Sequence, residues 1–216
     1  LKPQSLESGN FYTEDLPNMY TNSIRTCIPG ENMQILLKGG RSEGLSLIRR
    51  LEEIKTYSVQ RDFPHKEQTS HLSAHHKFGT VSIRDTYWGA KEGMRGSDAF
   101  IRELYWRDFY THLAYHFPHV FERAFNEQYQ EVRWDHDEEK FTRWKEGKTG
   151  FPIVDAGMRE LKETGYMHNR VRMIVASFLT KDLHISWQWG ERYFATQLTD
   201  YDPCVNAGSW QWSAST

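Results

Sequence analysis

From Ser42 onward the apolar residues recur at spacings of three and four and nowhere alternate strictly, and this period most constrains the fold. A 3.6-residue repeat builds amphipathic helices, whereas half-buried strands need a repeat of two. Leu45, Ile48, Leu51 and Ile54 give the repeat in SEGLSLIRRLEEIKTYS, with Leu47 beside them, and predict one helix over 42–58. Ser97 and Asp98 are N-cap candidates for a helix to Phe117, with Ile101, Leu104, Tyr105, Phe109 and Leu113 as its packing stripe and Pro118 as its stop. Thr149-Gly150-Phe151-Pro152 is a turn that starts a helix at Pro152, and Gly165 ends it. A long helix is expected from Tyr166 to Leu183, packed through Met167, Val171, Ile174, Val175, Phe178 and Leu179, and another over Trp187 to Leu198. No internal repeat is present. The expected fold class is all-α, a helical cluster. Residues 1–40 lack periodicity, carry Pro3, Gly9, Pro17, Pro29, Gly30, Gly39 and Gly40, and read as a linker or arm before a helical domain over 41–216.

Two of these helices carry a second face that the packing stripes leave over. Asn169, Arg172, Met173 and Ala176 fall at i, i+3, i+4 and i+7, as do Glu103, Trp106, Arg107 and Tyr110. Each set is either a polar surface with ordinary ion pairs, Glu103 with Arg107 among them, or the wall of a pocket. Thr69, Ser70 and Ser73 place hydroxyls at a helix or turn start, which is a plain cap or an anion site. No GxGxxG and no GxxxxGK[ST] is present, so neither dinucleotide fingerprint nor P-loop is indicated. The aromatic share of 14%, with eight tryptophans, is high; burial accounts for most such rings.

The remaining totals mainly exclude. A net charge of -2 argues against a globally basic nucleic-acid binder while leaving room for a local groove. Cys27 and Cys204 make no metal or disulfide pattern, and an intracellular, reducing setting is expected, cytoplasmic or, in a eukaryote, nuclear. No apolar run reaches the roughly 20 residues of a membrane span. His75 and His76 are adjacent, so they share no helix face; they read as a surface loop and not as a metal pair, and no metal site is expected.

Seven segments in order resemble the photolyase/cryptochrome family, and within it the enzymes that split cyclobutane pyrimidine dimers. They are YSVQRDFP (57–64), TSHLSA (69–74), FIRELYWRDFYTHL (100–113), WKEGKTGFPIVDAGMREL (144–161), TGYMHNRVRMIVASFLTKDL (164–183), WQWGERYF and DYDPCVNAGSWQW. The resemblance implies a helical FAD domain that acts on ultraviolet-damaged DNA, as a monomer, with any antenna pigment held by a domain this sequence lacks. It also implies that the chain stops short of the family's full helical domain. By similarity, Tyr57, Thr69, Ser70, Leu72 and Ser73 bind FAD through its diphosphate side. Asn169, Arg172, Asp200, Asp202 and Asn206 hold the flavin, with Asn206 facing its N5. Glu103, Trp106, Asn169, Met173 and Trp212 form the dimer pocket. Glu103 is expected there as a neutral proton donor in an apolar wall. Trp210, Trp187 and Trp134 form an electron relay to the surface, and Trp189 has only packing to do. The rival readings are a light-signalling cryptochrome without repair and a cofactor-free helical nucleic-acid-binding domain. Asn206, Met173 and the Trp106/Trp212 pair favour repair over signalling.

Overall fold

The computed structural model describes residues 35–66 and 68–216, so most of the expected linker, with Cys27, lies outside the described residues. Among these residues the regular structure is helical. The α-helices are α1 (Arg41–Arg49), α2 (Tyr57–Gln60), α3 (Ser73–Lys77), α4 (Ile83–Gly93), α5 (Asp98–His116), α6 (Glu138–Lys145), α7 (Pro152–Thr164), α8 (Asn169–Ser177), α9 (Trp187–Gln197) and α10 (Pro203–Ala214). One isolated parallel bridge joins Asp135 to Ile185.

The chain makes two apolar clusters. The larger gathers Trp144, Met158, Met167, Val175, Leu179 and Trp210 from α6 to α10. Trp144 is fully buried there, and its indole Nε1 donates to the Val175 carbonyl at 3.0 Å. The smaller cluster packs Ile48, Leu51, Leu72, Val81, Phe100 and Ile101 from the first five helices. Two glycines let α10 come close to its neighbours. A Cβ at Gly190 would overlap the Trp210 ring, and one at Gly208 would overlap the Tyr110 ring of α5. Any side chain at either point would push the helices apart.

Several elements depart from the sequence expectation. The helix expected over 42–58 breaks into α1, a 3₁₀ turn over Arg50–Glu53, and α2. Ile54 has an extended backbone (φ -83°, ψ 93°) while its side chain stays buried, so the spacing reported burial correctly and continuity wrongly. In α5, Ile101 and Leu104 are buried, but Tyr105 and Phe109 are 62% and 50% exposed. They lie on an open side of the helix, where Phe109 edges against Trp106 and Tyr110 of the same helix.

The long helix begins at Asn169 rather than Tyr166. Gly165 takes the left-handed conformation (φ 67°) that closes α7, and its carbonyl accepts from Thr199 N at 2.9 Å. The chain then runs without regular structure to His168, whose Nδ1 accepts from Arg170 N at 3.2 Å and caps the helix. The same helix widens after Ser177 into a π turn over Phe178–Asp182, marked by Leu183 N donating to Phe178 O at 3.0 Å. Ile174, expected in the packing face, is 40% exposed. His75 and His76 are not a surface loop. They sit on α3, with His75 buried, and bond to Thr80 Oγ1 (2.7 Å) and Thr86 Oγ1 (2.8 Å) respectively. No cluster of three or more His, Cys, Asp or Glu able to hold a metal occurs among the described residues. None of the described helices is long and apolar enough to cross a membrane.

Candidate functional site

Between the two clusters lies a hollow of about 570 Å³, within the range of small-molecule sites. Both leftover helix faces open into it: Asn169, Arg172, Met173 and Ala176 from α8, and Glu103, Trp106, Arg107 and Tyr110 from α5. Thr69, Ser70, Leu72 and Ser73 line one side, with Tyr57 of α2 nearby. Asp200, Asp202, Asn206, Trp210 and Trp212 complete the wall from the segment entering α10 and from α10 itself. The pocket alternative for the second faces is therefore the one the fold adopts.

The strongest polar feature is the Arg172–Asp200 pair. Arg172 Nη1 and Nη2 donate to the two Asp200 carboxylate oxygens at 3.1 and 2.9 Å, and Nε donates to the Met167 carbonyl at 2.7 Å. The Asp200 side chain is 3% exposed and that of Arg172 is 23% exposed. Burial pushes the Asp200 carboxyl up, but the Arg172 charge and hydrogen bonds outweigh it and hold it below the usual carboxylate range. A cation thus lines the hollow with its counter-ion held beside it.

Glu103 departs from its expected setting. Its carboxylate is ion-paired with the Arg61 guanidinium, not seated in an apolar wall and not paired with Arg107. Arg107 instead reaches Asp108 at 3.3 Å. Beside this pair Arg170 donates to Asp62 at 2.7 Å and, through Nη1, approaches the Met173 sulfur at 3.3 Å. The rim is therefore a row of paired arginines. Burial, and after it the Glu103 charge, pushes the Tyr57 phenol up to about 12, so it stays a neutral donor. On α3, burial, then Arg107 and His75, hold the His76 imidazole down to about 4, so it is neutral.

Asp202 has a structural task that its expected role did not include. Its Oδ1 accepts from Cys204 N (3.0 Å) and Val205 N (3.1 Å), capping α10. Asn206 is buried, and its Nδ2 donates to the backbone carbonyl (3.2 Å) and to Oε1 (3.0 Å) of Glu191. Sequence reasoning missed Glu191, Arg61, Arg170 and His76. The first three act across long gaps in the chain, and no local pattern announces them.

Trp210 lines the hollow, is 2% exposed, and packs edge-on against Phe194 (5.0 Å) and Trp144 (6.1 Å). Trp187 and Trp134 lie outside the hollow. Trp187 is buried in the same apolar cluster as Trp210, and Trp134 packs against that cluster. Trp189 is partly buried on the cluster's edge, against Phe141 (5.1 Å) and His136 (5.9 Å).

Residues 100–216 match the family model described as the FAD binding domain of DNA photolyase. The chain belongs to this family. The match takes in α5 to α10, and with them most of the hollow. The deoxyribodipyrimidine photo-lyases of Alkalihalophilus pseudofirmus and Vibrio cholerae are each 50% identical, over 167 and 172 residues; 76% of this chain is covered in both cases. The chain spans only 35% and 37% of those relatives' lengths. Among solved structures, an archaeal photolyase from Sulfolobus tokodaii with two FAD molecules superposes with a TM-score of 0.78 at 52% identity, over 83% of this chain and 40% of that one. A class III photolyase from Agrobacterium tumefaciens gives 0.85 at 37% identity, over 94% and 44%. The all-α fold is the fold of this photolyase domain.

FAD is the cofactor that the family's description names, and the donor set of the hollow fits it. Hydroxyls of Thr69, Ser70 and Ser73 beside Lys77 and Arg107 suit a diphosphate. The buried Arg172–Asp200 pair and the aromatic walls of Tyr166 and Trp210 suit a planar ring that carries negative charge when reduced.

Proposed function

We propose that the chain holds FAD in this hollow and serves the light-driven splitting of cyclobutane pyrimidine dimers in ultraviolet-damaged DNA. The observation that carries this reading is the placing of two exposed indoles, Trp106 (49%) and Trp212 (63%), on separate helices at the margin of the hollow that contains the Arg172–Asp200 pair. Exposed indole faces beside a pocket are surfaces on which a planar group can stack. Bases turned out of a duplex stack on indoles for about 1–3 kcal/mol each.

When bound, FAD supplies an electron donor that light excites. The chain does the rest. Thr69, Ser70, Leu72, Ser73 and Tyr57 bind the diphosphate side. Arg172 favours negative charge on the ring, and Asp200 holds the guanidinium fork so that it neither turns away nor sits unpaired. Asp202 fixes the start of α10, and through it Asn206. Asn169 and Met173 shape the floor on which the dimer lands. Glu103 offers its carboxylate to the pyrimidine edge only after Arg61 yields it. Trp210, Trp187 and Trp134 pass electrons inward from the surface through the apolar cluster.

The test is a repair assay on irradiated DNA with blue light on and off. Light-dependent loss of dimers by a yellow, flavin-bearing protein is expected. Flavin binding without dimer loss would move the protein to the signalling reading, which the structural match to a Synechocystis cryptochrome (33% identity, TM-score 0.77) keeps in view. A colourless protein would remove the flavin reading altogether.

A further inference from the structure

A second hollow, of about 270 Å³ and less than half the size of the first, lies between α4 and α5. Tyr87 and Lys91 line it from α4, and Asp98, Ile101, Arg102 and Tyr105 from α5. Ile101 is buried and gives the lining an apolar patch. The two phenols come from different helices. Tyr87 is half-buried and Tyr105 is 62% exposed, so a planar group can stack there. Lys91 Nζ donates to Asp98 Oδ1 at 3.4 Å, and these two charges satisfy each other. Arg102 is exposed and makes no ion pair among the described residues. The lining therefore carries one more cation than acid. Two aromatic rings and a spare guanidinium suit a ring system that bears an anionic group. The place of the hollow on α5 narrows the occupant further. Arg102 stands four residues before Trp106, so the two share a face about 6 Å apart along the helix. Trp106 and Glu103 line the first hollow, Arg102 and Tyr105 the second. A strand with a dimer at Trp106 has its neighbouring nucleotides within reach of Arg102.

We propose that this second hollow is a nucleotide subsite, in which a base flanking the dimer stacks on Tyr87 and Tyr105 while its phosphate meets Arg102. The proposal rests on the first hollow being the dimer site. Stacking on a phenol is indifferent to the identity of the base, since every base has a π face. The phosphate contact makes binding weaken with salt. The subsite thus favours a dimer within a strand over a dimer in a bare dinucleotide, and makes no demand on the sequence around it.

The experiment measures binding in the dark of two probes to the intact, flavin-loaded protein. One is a thymine-dimer dinucleotide, and the other a single-stranded decanucleotide with the same dimer at its centre. Tyr105→Ser is expected to weaken the decanucleotide about tenfold, the worth of one lost stack, and to leave the dinucleotide unchanged. Tyr105→Phe keeps the ring and should bind as wild type does. Arg102→Gln should weaken the decanucleotide and lower its slope of log affinity against log salt by about 0.7, one phosphate on a single strand. Arg102→Lys should restore the slope. Both side chains are exposed, so these variants should unfold at the wild-type temperature. Equal weakening of both probes by Tyr105→Ser, an unchanged decanucleotide, or an unchanged salt slope in Arg102→Gln overturns the subsite. A titration with thymidine 5′-monophosphate, followed by NMR, reads the subsite without a dimer. Saturable shifts of the Tyr87 and Tyr105 ring signals, with the Tyr87 shift lost in Tyr105→Ser, support it, and their absence overturns it. Should wild type bind neither dimer probe, the proposed function falls while this titration still decides whether the second hollow takes a nucleotide.

Discussion

Replacing Arg172 with Met removes one charge from a pair whose other member cannot reach water. The Asp200 side chain is 3% exposed, and two of the contacts holding it are the 3.1 and 2.9 Å bonds from the guanidinium. Breaking a buried pair from one side costs about 3–5 kcal/mol. Arg172 keeps 23% of its side chain in water, which argues for the lower end, about 3 kcal/mol. For a chain of this size that is a fall in Tm of roughly 6–12 °C at neutral pH. The dependence on pH carries more information than the size. In wild type the folded Asp200 value lies below the unfolded one. Its contribution is therefore complete above the unfolded value of about 3.9 and is lost as pH falls through the folded value. In Arg172→Met the largest remaining influence on Asp200 is burial, which favours the neutral acid, opposed only by hydrogen bonds from Ser73 and the Asp200 backbone. The penalty should then be greatest at neutral pH and should shrink on acidification as the carboxyl takes up its proton. Adding Asp200→Asn to Arg172→Met should recover much of the loss, since no buried charge is left alone. Thermal unfolding of the four proteins of this cycle, followed by circular dichroism at neutral and acid pH, gives the answer. A fall in Tm of under about 2 °C, or a fall independent of pH, or two single losses that simply add, would refute the reasoning.

Gln211 is 3% exposed and ties α10 to the segment after α5, its Nε2 donating to Val120 O (2.8 Å) and its Oε1 accepting from Phe125 N (2.6 Å). Gln211→Leu should therefore cost about 1–3 kcal/mol for each group left unsatisfied, read as denaturant midpoint. The His76 imidazole, lowered to about 4, should show no titration near its ordinary value when followed by proton NMR. A folded value below the unfolded one of about 6.5 means that His76 contributes fully above that pH and loses its contribution as pH falls toward the folded value. His76→Phe should then flatten the acid side of the stability profile. Trp210→Phe should abolish light-driven reduction of bound FAD while sparing dimer splitting by protein reduced beforehand; an unchanged rate of photoreduction would remove Trp210 from the relay.

Much of the hollow was legible because its residues sit on helix faces, and a period of 3.6 shows which side chains share a face before any contact is known. Asn169, Arg172 and Met173 could be grouped in this way, and so could Glu103, Trp106 and Tyr110. The resemblance added Thr69, Ser70 and Ser73, whose local sequence fits a plain cap as well as a binding site. Partners were not legible. Glu103 finds Arg61, 42 residues back, and not Arg107 four residues on. A nearby charge is only an available partner, and the fold decides which one arrives first. The start of α8 was misread because His168 caps it with a ring nitrogen, outside the usual Ser, Thr, Asp and Asn. The break of the first helix at Ile54 and the π turn after Ser177 left the spacing of apolar residues intact, so a test of spacing passed straight over them.

The cap that Asp202 places on α10 sets the origin from which the helix is counted. Asn206, Ser209, Trp210 and Ser213 all reach the hollow at fixed steps from that origin. Each residue on a helix turns by about 100° relative to the last. One residue inserted or deleted between the cap and Asn206 would swing the carboxamide and the indoles off the wall together, while leaving composition and helix content almost untouched. Tolerance to substitution and tolerance to changes in length should therefore differ sharply along this segment, the second being nearly absent.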